Sequence, residues 1–107
     1  MLSMESKSYQ LRYLPLFEQD LKDTVNYISN TLKNKEAALR LVDDIETAIL
    51  NRLSNPTSFE PYHSKKKREY PYYRIYVRNY VIYYVVIENV MEVRRLLYNA
   101  RDINKQL

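Results

Sequence analysis

The chain has no cysteine, no glycine and no tryptophan, and His63 is its one histidine. Without cysteine there is no disulfide framework and no thiolate metal site, which sets a reducing, cytoplasmic location as the expectation. Without glycine the phosphate-cradling P-loop and the dinucleotide fingerprint are both excluded, because each needs backbone that only glycine adopts cheaply. A single histidine builds neither an imidazole metal cage nor a Ser-His-Asp relay. No apolar run approaches the roughly 18–20 residues that span a bilayer. The opening MLSMESKSYQ carries Glu5 and lacks the apolar centre of a secretory signal. The expectation is a soluble protein with no membrane association, no metal and no cofactor.

What is present is tyrosine, twelve of them, and a skewed distribution of charge. At 107 residues, 46% hydrophobic and 28% charged, the chain is expected to form one domain over residues 1–107 around a single core. Residues 1–61 carry seven basic against nine acidic side chains, whereas residues 62–107 carry ten against four. A basic half of this kind suits an anionic partner, either nucleic acid or an acidic protein segment.

Residues 8–14, SYQLRYL, alternate as a short strand does. Pro15 then opens a helix at a position where its missing N–H costs nothing. In that helix Phe17, Leu21, Val25, Ile28 and Leu32 form one apolar stripe. Asn34 closes it and serves as N-cap for a second helix, with the stripe Ala38, Leu41, Ile45, Ala48, Ile49 and Leu53. So short a break makes the helices an antiparallel hairpin. Leu16, Leu39 and Val42 fall off the stripes and are candidates for exposure. SNPTSFEPYHSKKKREYP, with three prolines and no periodicity, is a connecting loop.

Three strands follow, YPYYRIYVRN, YVIYYVVIE and VMEVRRLLYN. In the first, Tyr73, Ile75 and Val77 face one way while Tyr72, Arg74, Tyr76 and Arg78 face the other. The second is apolar on both faces and reads as central. The fold expected is α+β in the order β-α-α-β-β-β, an antiparallel sheet with the αα-hairpin on one face and a basic, aromatic surface on the other. The terminal ARDINKQL is long enough for one or two helical turns.

Catalytic candidates are few. Asp43, Asp44 and Glu46 lie on differing sides of a helix and read as solvated, and His63 reads as a surface residue. The cations stand out: Arg74 and Arg78 on one strand, Arg94, Arg95 and Arg101 on the last strand and its exit, and Lys65, Lys66, Lys67 and Arg68 in the loop. Guanidiniums hold phosphate through paired N–H donors, and tyrosines between them stack on bases. Such a set supports ribonuclease chemistry without histidine by stabilising the pentavalent phosphorane. Equally, these arginines can serve the fold by pairing with tyrosine hydroxyls and with Glu88, Glu92 or Asp102.

The order of elements, together with YRIYVRNYVIYYVV followed by VRRLLYNARD, resembles the RelE/ParE superfamily of bacterial type II toxins. The resemblance covers residues 8–107 loosely and 72–103 strongly. It implies one of two activities, poisoning of DNA gyrase (ParE-like) or cleavage of mRNA in the ribosomal A site (RelE-like). The ribonuclease pattern places cations at Arg74 and Arg101, with Arg78 nearby, but this chain has Tyr76 and Val81 where further cations are wanted and Leu107 in place of a tyrosine. Lys65, Lys66, Lys67, Arg68, Tyr76, Arg94, Arg95 and Tyr98 would then contact RNA or another target. The LLYNARD ending looks more like ParE-type toxins, with Tyr98 in place of a histidine. The resemblance also implies a cytoplasmic toxin neutralised by an antitoxin encoded beside it, whose C-terminal segment would cover Leu16, Leu39, Val42 and the basic face. Gyrase poisoning is the leading expectation, mRNA cleavage the alternative, and a binding module using the same face the third.

Overall fold

The computed structural model describes residues 8–62 and 68–99. Strand β1 (Gln10–Tyr13) leads into α1 (Pro15–Asn26), which continues as a π-helical turn, Tyr27–Thr31, before α2 (Lys35–Leu53). Strands β2 (Tyr73–Val77), β3 (Tyr80–Ile87) and β4 (Val90–Tyr98) complete the regular structure of the described residues. The helix punctuation matches expectation: Pro15 occupies the first turn of α1, and the Asn34 Oδ1 accepts the Ala37 N–H at 3.0 Å. Closure of the first helix falls to Lys33, whose left-handed φ of 56° lets the Asn34 N–H reach the Ile28 carbonyl.

The π-helical turn changes one part of the expected stripe. Its wider winding, with the Leu32 N–H bonded to the Tyr27 carbonyl, rotates later residues around the axis. Phe17 is buried and Leu21 and Ile28 pack against the core, but Leu32 is 55% exposed.

The sheet runs β1-β4-β3-β2, and β1 lies parallel to β4, from Gln10 opposite Val90 to Tyr13 opposite Val93. The sheet is therefore mixed rather than wholly antiparallel. The reason is the count of reversals. The helical hairpin goes out and back, so β2 starts at the end of the sheet where β1 started. Two tight hairpins then give β4 the direction of β2, and hence of β1.

The helical face of the sheet holds the main core. Phe17, Leu41, Ile45 and Ile49 meet Ile75, Ile82, Tyr84, Met91, Val93 and Leu96. Leu16 and Leu39 stay exposed on the hairpin, while Val42 is half-buried. The opposite face is less open than the pattern suggests. Tyr72, Val81, Tyr83, Val85 and Leu97 form a second cluster, joined by Tyr62 and Tyr70. β3 is thus buried on both sides, as a central strand should be.

Both strand hairpins turn in two residues, and both put a non-glycine side chain at left-handed φ: Arg78 at 55° and Glu88 at 57°. An L-residue with a Cβ adopts that region at a cost of about 1 kcal/mol. The chain accepts the strain twice because it holds no glycine to relieve it.

Candidate functional site

Across the face opposite the helices, one row of polar side chains crosses the sheet. Arg12 comes from β1, Glu92 and Arg94 from β4, and Arg74 and Tyr76 from β2, with Tyr62 and Arg68 supplied by the connecting segment. Tyr62 is placed by its N–H bond to the Tyr72 carbonyl, at 2.6 Å, which lays the segment beside the edge strand.

Two arrangements organise the row. On β2 the Arg74 guanidinium lies between rings, 4.9 Å from the Tyr62 centroid and 5.7 Å from that of Tyr76, which is 58% exposed. Tyr72 is flanked in the same way by Arg68 at 4.8 Å and Arg94 at 5.8 Å. Beneath them Tyr83 is fully buried, edge-on to Tyr62 and Tyr72, and among the described residues its hydroxyl has no hydrogen-bond partner. Burial, with Tyr62 and Tyr76 adding to it, pushes the Tyr83 hydroxyl up to about 12.

At the other end of the row, the buried Glu92 carboxylate accepts from Arg12 and from Arg94, each at 2.8 Å. Burial alone would raise its pKa. The hydrogen bonds from Arg12 and Arg94 outweigh that and hold it below the usual carboxylate value. Arg94 is likewise opposed by burial but raised by Tyr72 and Glu92.

The expected cations separate into three groups. Arg74 and Arg68 remain on the face with no carboxylate partner among the described residues. Arg94 and Arg95 are bound into the fold. A β-bulge where Tyr83 gives way to Tyr84 leaves Arg94 without a partner opposite, and the two neighbours diverge. Arg94 goes to Glu92, whereas Arg95 reaches Asp20 of α1 with Nε–Oδ2 at 2.8 Å and Nη2–Oδ1 at 3.1 Å. Arg78 leaves the face altogether. It sits in the β2–β3 turn rather than on the strand, and its guanidinium pairs with Asp44 of α2, on the helical side. Lys65, Lys66, Lys67 and Arg101 lie outside the described residues, as do His63 and Leu107.

Val81, where the ribonuclease pattern wants a cation, is 1% exposed inside the second cluster. Tyr98 sits at the far end of β4, against Tyr80 with ring centroids 5.7 Å apart. It borders a separate groove of about 860 Å³, walled by Tyr27, Ile28, Leu32 and Leu96. That groove exists because β1 covers only residues 90–93 of β4. Beyond them α1 takes the strand's place, and Asp20 Oδ2 accepts the Leu96 N–H at 3.0 Å.

Sequence reading passed over Arg12, Tyr62 and Tyr83 as site residues, and it missed Arg52. The Arg52 Nη1 donates to the Arg74 carbonyl at 3.1 Å and to the Tyr84 hydroxyl at 2.8 Å, and its guanidinium lies 3.5 Å from the Phe59 ring centre. The Tyr84 hydroxyl in turn donates to the Pro56 carbonyl. Alternation opposite Leu11 and Tyr13 was the signal for Arg12; no local signal marks the others.

Among the described residues no group of His, Cys, Asp or Glu could hold a metal ion, and no helix is long and apolar enough to cross a membrane. The family described as the ParE toxin of type II toxin–antitoxin system, parDE, matches residues 11–103. Curated proteins yield no match to this sequence. Among solved structures, the chromosomal ParDE toxin–antitoxin system of P. aeruginosa is similar at TM-score 0.64 and 16% identity, over 87% of this chain and 98% of that one. The DinJ–YafQ toxin–antitoxin complex of E. coli follows at 0.53 and 12%, over 87% and 94%. YafQ of E. coli strain BL21(DE3) gives 0.51 and 15%, over 86% and 94%. At these identities the structural likeness speaks for the fold: two helices on a mixed four-stranded sheet.

Proposed function

Because this chain belongs to the ParE toxin family of type II toxin–antitoxin systems, we propose that it arrests bacterial growth by poisoning DNA gyrase and is held inactive by an antitoxin encoded beside it. The observation that carries the choice of target is the fate of the cations. A ribonuclease that works through cations, without a histidine pair, needs several guanidiniums or ammoniums converging on one phosphate. Here Arg78, Arg94 and Arg95 are each committed to a carboxylate, and Val81 is sealed in a core. The helices also leave apolar side chains exposed, Leu16, Leu39 and Leu50, which suits contact with protein. The same residues, with Val42 and the groove beside β4, offer the antitoxin an amphipathic docking surface.

A second reading, ribosome-dependent mRNA cleavage, draws on the Arg74–Tyr76 pair, which keeps its charge and ring on the surface. One experiment separates the two. The purified toxin is added to gyrase in a supercoiling assay, and DNA and protein synthesis are followed separately after induction of the chain alone. Loss of supercoiling with an early fall in DNA synthesis supports the gyrase reading. An early fall in protein synthesis, abolished by Arg74→Glu or Arg101→Glu, refutes it in favour of cleavage.

A further inference from the structure

The open face of the sheet carries Arg12, Arg68, Arg74 and Arg94, with Glu92 held between Arg12 and Arg94. Two of those guanidiniums, Arg68 and Arg74, lie against tyrosine rings and have no carboxylate partner among the described residues. A charge left so is available to an anion, and a guanidinium fixed on a ring has lost less freedom when the anion arrives. The ladder Tyr62–Arg74–Tyr76 ends at Tyr76, whose ring is more than half exposed. A ring beside a fixed cation presents one element for a base and one for a phosphate.

We propose that this face binds single-stranded nucleic acid, with Arg74 on a phosphodiester and a base stacked on the outer side of Tyr76, and that it holds the strand without cutting it. A single strand is favoured over a duplex because Tyr76 can stack only on a base that has left its own stack. Cutting RNA would require a group that takes the proton of a 2′-hydroxyl and another that protonates the leaving 5′-oxygen. On this face the Glu92 carboxylate is clamped between Arg12 and Arg94 and is a weak base, and the Tyr83 hydroxyl is sealed from any strand. The inference stands apart from the choice of gyrase as target, since it concerns what the face holds.

The test is fluorescence anisotropy with the full chain and labelled oligonucleotides of about 12 nucleotides, as single-stranded DNA, single-stranded RNA and duplex DNA. Both single strands are expected to bind with similar affinity and the duplex more weakly. Tyr76→Ala, at an exposed position that leaves the fold intact, should weaken single-strand binding about tenfold. Arg74→Leu should lower the slope of log affinity against log salt by about 0.7. The RNA, recovered on a gel, should be whole. No saturable binding at about 50 mM salt overturns the proposal. So does duplex binding as tight as single-strand binding and indifferent to Tyr76→Ala, which would be charge attraction alone. Cut RNA overturns the claim that the strand is held intact, and DNA and RNA arms that differ more than about tenfold overturn the assignment to phosphate and base alone. A gyrase assay is untouched by any of these outcomes, so the two readings fail separately.

Discussion

Arg78 and Asp44 meet across 34 residues of sequence, with Nη2 2.6 Å and Nε 2.9 Å from the same carboxylate oxygen, and so tie the β2–β3 turn to the middle of α2. Both side chains are about half exposed. Exposed pairs contribute little, so a double-mutant cycle of Arg78→Ala and Asp44→Ala should give a coupling of about 0.2–1 kcal/mol in urea unfolding. Arg78→Ala should leave growth arrest intact. Loss of arrest with unchanged stability would return Arg78 to the functional site.

The Asp20–Arg95 pair is the opposite case, because both side chains are largely buried and Asp20 also holds the Leu96 N–H. Asp20→Ala takes a carboxylate away from a largely buried guanidinium and from a strand N–H together and should cost about 3 kcal/mol. Arg95→Met, which removes the charge but keeps the stem, should cost clearly less. Chemical denaturation of the two variants checks the order, and equal losses would mean that Asp20 acts only through Arg95.

Glu92 sets a pH dependence with a definite sign. Its carboxyl is lower in the folded chain than the ordinary 4.5, since the hydrogen bonds from Arg12 and Arg94 overcome the effect of burial. Its pairing therefore contributes stability above about pH 4.5 and loses it as pH falls through the lower folded value. Thermal unfolding between pH 3 and 7 should show a decline at the acid end that Glu92→Gln makes shallower, alongside a loss of about 1–3 kcal/mol at neutral pH. An unchanged acid limb in the variant would assign that decline to other carboxylates.

Glycine, absent from the chain, should help where φ is left-handed. Glu88→Gly removes a strained Cβ from the β3–β4 turn and Lys33→Gly does the same at the end of the first helix. Each is expected to gain up to about 1 kcal/mol, less the entropy that glycine adds to the unfolded chain. Melting temperatures a few degrees higher bear this out, and lower ones mean that the Glu88 or Lys33 side chain makes a contact worth more than the strain.

The helices were legible because their stripes reflect local geometry: Phe17, Leu41, Ile45 and Ile49 are buried as their spacing requires. The helical cap at Asn34 was legible for the same reason. The parallel pairing of β1 with β4 was not, since it follows from how many times the chain reverses and no residue of β1 carries that information. Nor were the fates of the arginines. Arg95 and Arg94 look alike in sequence, yet one is claimed by an aspartate 75 residues away and the other by a glutamate two residues away. Arg78 was assigned to a strand face, but the turn begins one residue earlier and swings it round to α2. Arg74 kept its expected place because Tyr62, from a segment without periodicity, came to lie beside it.

The parallel pair also fixes an order of events during synthesis. Among the described elements β1 is made first and the strand it pairs with, β4, is made last, with Gln10 and Val90 eighty residues apart. While the chain is still growing the helical hairpin has no finished sheet to rest on, and β1 has nothing to pair with. Contacts this distant in sequence form late and slow the search for the native state. A partner that reads the completed sheet can meet this protein only once β4 has left the ribosome, whereas one that reads the helices alone has a head start.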